Sequence, residues 1–364
     1  MFIMNVLINW YIQSVVIEIL LIGTYVDYYN KLDIDLNWCN REIWYFVQLV
    51  TMENTTNYTS IVVSTSDVLM ASIGVIGILS NIILLSILIY SKKVRDISYV
   101  FVVNVAFSDF LTAFIICCLF LPKILFPAFT TLVGDSFCKI LYFVFCATYD
   151  TSAFSLVVIS LYRFKIIVDP VRYRSQSFIC KHWFKVILTM WIVSLLISLP
   201  TLLLTTTTYV GEARCDVFYP YGFIPNIIYF SLFFIITYVV PVLLMSFNYI
   251  RIGRDLYSRT YPNSNLLSGR LPRNHRNKSV IQFLISITCI YMIVSGPIFI
   301  GLTVLSIAGE TYTHIRESNY LLSRVLVASL GISASVCFIN PILCLIFDKN
   351  IRSEIRKILY KTSK

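Results

Sequence analysis

The sequence predicts an all-α integral membrane protein, a bundle of seven transmembrane helices. Three observations lead there. Of the 364 residues, 58% are hydrophobic and 13% charged. That is about half the charged share of a soluble domain, and the mean hydropathy is +0.79. The apolar residues gather into long runs bounded by charge, and lysine and arginine crowd alternate junctions between those runs. This composition excludes a soluble globular protein and a disordered chain. The formal charge of +10 does not mark a nucleic-acid binder, because the basic residues flank membrane spans. Ten cysteines are too few in this length for a disulfide scaffold. His182, His275 and His314 stand apart from one another with no Cys-x-x-Cys nearby, so no metal set is expected. With no nucleophile–base pair visible either, neither a cofactor nor enzymatic turnover is expected.

A helix needs about 20 mostly apolar residues to cross the hydrocarbon core. Such runs extend over residues 61–90, 98–121, 137–168, 184–204, 223–250, 280–307 and 320–347. Residues 61–347 thus form the membrane domain, residues 1–60 precede it, and residues 348–364 follow it. An odd number of spans puts the two ends of the domain on opposite sides. No internal repeat of the kind left by paired transporter halves is present.

Orientation follows from the basic residues. Most of the 29 lysines and arginines lie after the first, third, fifth and seventh runs, among them Lys92, Lys93, Arg163, Arg172, Arg254, Arg273, Arg352 and Arg356. That side is the expected cytosol, which places the N-terminus outside. Acids such as Asp67, Asp135, Asp216 and Glu310 fall on the outer side. Asn54-Thr-Thr and Asn57-Tyr-Thr are glycosylation sequons on the outer side, whereas Asn277-Lys-Ser falls on the cytosolic side. Residues 1–51 leave three readings open. They are a signal-like segment without a basic start or clear cleavage site, a real extension, or an upstream extension of the reading frame before Met52.

Ionisable groups within hydrocarbon are costly and mark function by default. Asp109 sits in mid-span, and Asn81 and Asn340 lie at similar depth in the first and seventh runs. Such a level can be a packing network with water or a small-cation site. Asp150 and Arg163 share a run but stand 13 residues apart, about 20 Å along a helix, so they cannot pair. Arg163 falls at the cytosolic end, and Asp150 is expected to hydrogen-bond a neighbouring helix. Cys138 and Cys215 both lie on the outer side and can oxidise to each other. Pro200, Pro241, Pro297 and Pro341 fall within the fourth to seventh runs, where proline kinks helices and frees backbone carbonyls.

In order along the chain stand Asn81, Asp109, Cys138 with Arg163 25 residues on, Trp191, Pro241 with Tyr249 eight residues on, Pro297 and Asn340-Pro341. This pattern resembles the class A, rhodopsin-like, G-protein-coupled receptors over about residues 60–362. The resemblance implies a plasma-membrane receptor that couples an extracellular ligand to heterotrimeric G proteins. It implies a Cys138–Cys215 disulfide, and an amphipathic eighth helix in the run that begins at Asp348 and lies on membrane lipid. It makes Tyr162, Arg163, Phe164, Tyr249, Asn340 and Pro341 the coupling and switching residues. The polar or ion cluster would be Asn81, Asp109, Ser152 and Asn340. Sodium stays an open question, because Val336 stands where a second span-seven asparagine is often found.

Several family positions differ here. The acid before Arg163 is Tyr162, and the tyrosine after it is Phe164. The phenylalanine and Cys-Trp pair of the sixth span are Tyr291, Val294 and Ser295, and the tyrosine ending the seventh-span signature is Cys344. Phe145 replaces the aspartate of amine receptors and Ala334 the lysine of opsins. The outer loops carry acids with Tyr209, Tyr219, Tyr221 and Tyr312, and residues 205–222 have room for a hairpin. Asp348-Lys-Asn350 is similar to the Asp-Glu-Asn of several neuropeptide receptors. These features favour a cationic peptide ligand. A small-molecule chemosensory receptor, or a receptor-like protein that does not signal, is the alternative.

Overall fold

Chain segments that hold a nearly continuous apolar run must satisfy their own backbone in lipid, and helices are the open-ended way to do so. The computed structural model describes residues 65–91, 97–125, 134–168, 178–210, 212–217, 219–260, 291 and 294–362. Among them, six helices are long and apolar enough to cross a membrane, and a shorter apolar helix, Val294–Ala308, lies in the sixth run. Span one is Thr65–Tyr90, span two Ile97–Leu125 and span three Asp135–Val168. Span four is Trp183–Ser198 with a further turn, Thr201–Leu204. Span five runs Phe223–Phe234, passes through a π turn at Ile235–Val239 and continues as Val240–Thr260. Span seven is Tyr320–Ala334 followed by Val336–Phe347. The expected start of span six, residues 280–290 with 292 and 293, lies outside the described residues, as do Asn54, Asn57 and Asn277.

Span three packs against spans two, four and five and against the outer hairpin, which makes it the axis of the bundle. Span one packs on spans two and seven. Glycine sets that approach. A Cβ on Gly74 would lie 2.7 Å from Cys117 Sγ, and one on Gly77 would lie 2.7 Å from Ala113 Cβ and 2.8 Å from Cys337 Sγ. Small residues let membrane helices meet backbone to backbone. The interior holds Phe101, Phe230, Met245 and Leu343, while Ile83, Leu196 and Leu243 point outward, as lipid-facing side chains should.

At Pro200 the regular helix of span four is interrupted between Ser198 and Thr201, because Pro200 cannot donate to the carbonyl four residues back, and the span continues to Leu204. One expectation needs correction. Span two does not stop at Leu121 but runs to Leu125 with Pro122 inside it. A proline in the last turn removes one donor without ending the helix.

The one sheet among the described residues is an antiparallel hairpin, β1 Thr205–Val210 and β2 Glu212–Val217. After span seven, Asp348 turns the chain into helix eight, Lys349–Thr362. Asp348 Oδ1 accepts from the Ile351 amide at 3.2 Å, and its Oδ2 accepts from the Tyr99 hydroxyl of span two at 2.9 Å. Ile351 is buried and Ile355 packs on the core, while Arg356 and Lys357 are exposed. Apolar residues four apart with basic ones between them suit a membrane surface.

Candidate functional site

The deep polar level is a set of helix-to-helix bonds. Asn340 Nδ2 donates to Asp109 Oδ2 at 2.8 Å, joining spans seven and two, with both residues buried. Ser152 adjoins the Asp109 carboxyl, but its Oγ completes no hydrogen bond of good geometry. Asn81 does not bond Asp109. Its Nδ2 donates to Gly77 O at 2.8 Å and to Cys337 O at 2.7 Å. The second bond has a cause in the sequence. Pro341 has no N–H for the carbonyl four residues back, which is that of Cys337, and Asn81 supplies the missing donor. Asn81 Oδ1 remains buried without a partner. Asp109 thus faces the Asn340 amide and the Ser152 hydroxyl, a buried polar level that joins spans two, three and seven.

Two further links lie beside it. Asn104 Nδ2 donates to Ser155 Oγ at 2.8 Å, and Trp191 Nε1 donates to Asn104 Oδ1 at 3.0 Å, so one side chain ties spans two, three and four. Asp150 accepts from Ser198 Oγ of span four at 3.3 Å, the neighbouring-helix bond expected for it. Asn104 carries no charge and sits in an apolar run. Nothing local to it gave a hint of its partners, and only packing reveals it as a joint.

Spans five and six repeat the logic of Pro341. Pro241 cannot donate to Thr237 O, and the buried Tyr291 hydroxyl donates to that carbonyl at 2.8 Å. The π turn just before Pro241 is the local answer to the same defect, with Val240 N–H reaching back to Ile235 O. Ser333 of span seven donates to Val294 O of span six at 2.7 Å, beside Pro297. Around Phe299 of span six lie the rings of Tyr149, Phe233 and Tyr238, with centroids 5.9, 5.6 and 5.9 Å away.

At the C-terminal end of span three, Tyr162 is buried, Phe164 packs on the core, and Arg163 Nε is buried without a hydrogen-bond partner among the described residues. Tyr249 of span five is 2% exposed. One residue before it, Asn248 Nδ2 donates to Ser160 Oγ at 2.9 Å, fixing span five to span three just above Arg163.

The opposite end of the bundle is roofed by the hairpin. Cys138 and Cys215 form a disulfide with Cα atoms 5.6 Å apart, tying β2 to span three. Asp135 ties β1 to the same helix. Its Oδ1 accepts from Thr206 Oγ1 at 2.8 Å and from Thr207 N at 2.9 Å, while its Oδ2 meets Lys139 at 2.5 Å. Under this roof lies a cavity of about 220 Å³ walled by spans one, two, three, six and seven. Phe120, Phe145, Leu302 and Leu330 make its walls apolar, and its charged lining is Asp67, Asp216 and Lys123.

A family model for the seven-transmembrane receptors of the rhodopsin family matches residues 80–343. The chain belongs to that family. This class A receptor is 27% identical to human prokineticin receptor 1 over 311 residues, which are 82% of this chain and 76% of that protein. It is 26% identical to rat prokineticin receptor 2 over 306 residues, 80% of this chain and 76% of the relative. With the human neuromedin-K receptor it shares 24% identity over 295 residues, 78% of this chain but 58% of the relative's length. Membership makes the protein a multi-pass membrane protein of receptor type, in a family of receptors rather than enzymes. The receptor keeps the family asparagine, aspartate, arginine and Asn-Pro pair. At Tyr162, Tyr291, Ser295 and Cys344 it departs from the pattern.

Proposed function

We propose that the chain is a plasma-membrane receptor for an extracellular peptide, with its N-terminus outside, its C-terminus in the cytosol, and heterotrimeric G proteins as its output. The observation that carries the ligand class is the cavity beneath the disulfide-anchored hairpin. It is apolar in its walls, carries Asp67, Asp216 and Lys123, and is about 220 Å³ in volume. That is below the range of pockets that enclose a drug-sized molecule, so it suits one or two side chains at the end of a longer ligand. The relatives named for prokineticin and neuromedin K support the same reading. Phe145 and Ala334 leave no charged anchor for a monoamine or a retinal. The basic residues on one side and the sequons on the other support the orientation.

Signalling would be a population shift. A ligand that binds better to the state with span six swung outward raises the share of that state and opens a cytosolic cleft. Asp109 and Asn340 would sit in the switching core, Arg163 and Tyr249 at the cleft, and the basic third loop and helix eight against the G protein and anionic lipid. Screening a peptide library on cells carrying a promiscuous G-protein reporter tests this. Activation by a small molecule and by no peptide would overturn the ligand class. The replacements at Tyr162, Ser295 and Cys344 favour a second reading, a receptor-like ligand sink. Ligand-dependent dissociation of a G protein in cells separates the two.

A further inference from the structure

The outer face carries a set of bonds that neither the ligand cavity nor the switching core requires. Span six ends at Ala308 in a closed C-terminal turn. Gly309 takes φ +68°, its N–H reaches Ser306 O at 3.3 Å, and the Glu310 N–H reaches Leu305 O at 3.3 Å. A short helix, Tyr312–Ser318, follows in the third outer loop. Its first amides need acceptors. Thr311 takes that of His314 through its side chain at 3.2 Å and that of Ile315 through its carbonyl at 3.1 Å. The other two go to a different loop. Asp216 Oδ1 accepts from Tyr312 N at 3.0 Å and from Val217 N at 2.8 Å, and its Oδ2 accepts from Thr313 N at 2.8 Å and from the Thr313 hydroxyl. Asp216 is 6% exposed, and it follows Cys215 directly.

Three residues on, Tyr219 does the same for the end of span six. Its hydroxyl lies 2.7 Å from Glu310 O and 3.2 Å from Leu305 O. Burial, with Asp216 and Glu310 nearby, pushes this phenol well above its usual range, so it stays a neutral donor. Its ring packs with Leu204, Val217 and Phe230. A continuous set of covalent and hydrogen bonds therefore runs from span three through Cys138–Cys215, then Asp216 and Tyr219, to the outer end of span six. Asp216, Leu305 and Tyr312 also line the cavity, so anything that enters it touches this strap.

We propose that Asp216 and Tyr219 form an autoinhibitory clasp, which holds the outer end of span six to the span-three loop in the resting receptor and is loosened when a ligand fills the cavity. The inference rests on the receptor reading. A pivot of span six about its middle would carry its outer end away from the span-three loop, so on this reading opening the cytosolic cleft lengthens these bonds or exchanges their partners. A charged acceptor serving two helix amides is the stronger half, and the tyrosine is the weaker, more easily removed half.

The test uses the full receptor without ligand. Tyr219→Phe keeps the ring and removes the donor, and Thr313→Val keeps the shape and removes one of the Asp216 bonds. Basal G-protein turnover at matched surface density should rise roughly two- to fivefold in each, the effect of losing one ordinary hydrogen bond. In purified receptor the amides of Tyr312 and Thr313 should exchange faster with deuterium in Tyr219→Phe than in wild type, because the two halves hold the same loop. Measurable wild-type turnover with no rise in either variant would overturn the clasp and leave the receptor reading standing. No ligand-free turnover from wild type or either variant would also overturn the clasp, because releasing the restraint then raises nothing, while failure of the receptor reading itself is read separately from ligand-dependent G-protein dissociation.

Discussion

Replacing Tyr162 with aspartate should quiet the receptor in the absence of ligand. In the family pattern an acid at this place holds the following arginine in the resting state. Here that place holds a buried tyrosine, and Arg163 Nε is itself buried without a hydrogen-bond partner among the described residues. A charge-assisted bond to a guanidinium contributes about 1.5–3 kcal/mol. Burying a new carboxylate takes back part of that, which leaves a net preference for the resting state of about 1 kcal/mol. One such step moves a two-state ratio about fivefold, so basal turnover should fall about fivefold. Loss of the buried ring costs stability as well, but it weakens both states. Tyr162→Asn has the same size without the charge and shares that loss, so the difference between the two variants reports the charge alone. Cys344 acts in the opposite sense in the wild type, because a tyrosine there would support the active state. The wild type should still signal measurably without ligand. The assay is ligand-free G-protein turnover with surface expression matched by epitope staining. Equal turnover in the two variants, or turnover in Tyr162→Asp at or above wild type, would refute the argument.

Three further outcomes are expected. Cys138→Ser or Cys215→Ser should cut surface expression or ligand binding, because the bond closes a loop of 77 residues, for which chain entropy predicts about 4.5 kcal/mol; free thiols at both positions in functional receptor, found by non-reducing peptide mapping, would contradict this. Asn54→Gln with Asn57→Gln should abolish a glycosidase-sensitive shift and Asn277→Gln should leave it, whereas the reverse result would invert the orientation. Asp109→Asn keeps a side-chain oxygen for Asn340 but removes the charge, so it should change signalling efficacy more than ligand affinity; equal loss of both would point to a folding or direct binding role.

The spans were legible because the bilayer writes them into composition. An apolar run that begins and ends at charges has few other uses, and Tyr90 and Leu204 end helices where the runs end. Proline positions were legible too, and so were the carbonyls they release, since these lie four residues back. The donors that fill the gap were not. Asn81 reaches Cys337 across 256 residues of sequence, and Tyr291 reaches Thr237 across 54. Nothing local to either end specifies such a meeting, because it depends on the angle at which two helices pack. For the same reason the polar level resolved only in part. Asn340 and Asp109 did meet, but Asn81 turned to a backbone carbonyl instead. Asp216 looked like one more solvated acid in a loop. That it serves the amides of a helix 96 residues later required the hairpin and the third loop to be seen together.

The departures from the family pattern in span six are a substitution of parts more than a loss of parts. The usual phenylalanine is Tyr291, and the added hydroxyl satisfies the carbonyl that Pro241 releases in span five. A bond of this kind between membrane helices contributes about 0.6–2 kcal/mol. The usual tryptophan is Ser295, whose hydroxyl adjoins that of Tyr149 in span three but completes no hydrogen bond of good geometry. One turn further out, however, Phe299 meets Tyr149 of span three and Phe233 and Tyr238 of span five. Each such pair adds about 0.5–1.5 kcal/mol beyond its area. The contacts that make span six feel spans three and five have therefore moved by one turn, and they have gained a polar tie to a broken helix. Motif loss at Ser295 alone is thus a poor reason to call the receptor silent. The positions that weigh more are Tyr162 and Cys344, where the described structure offers Arg163 Nε no replacement partner.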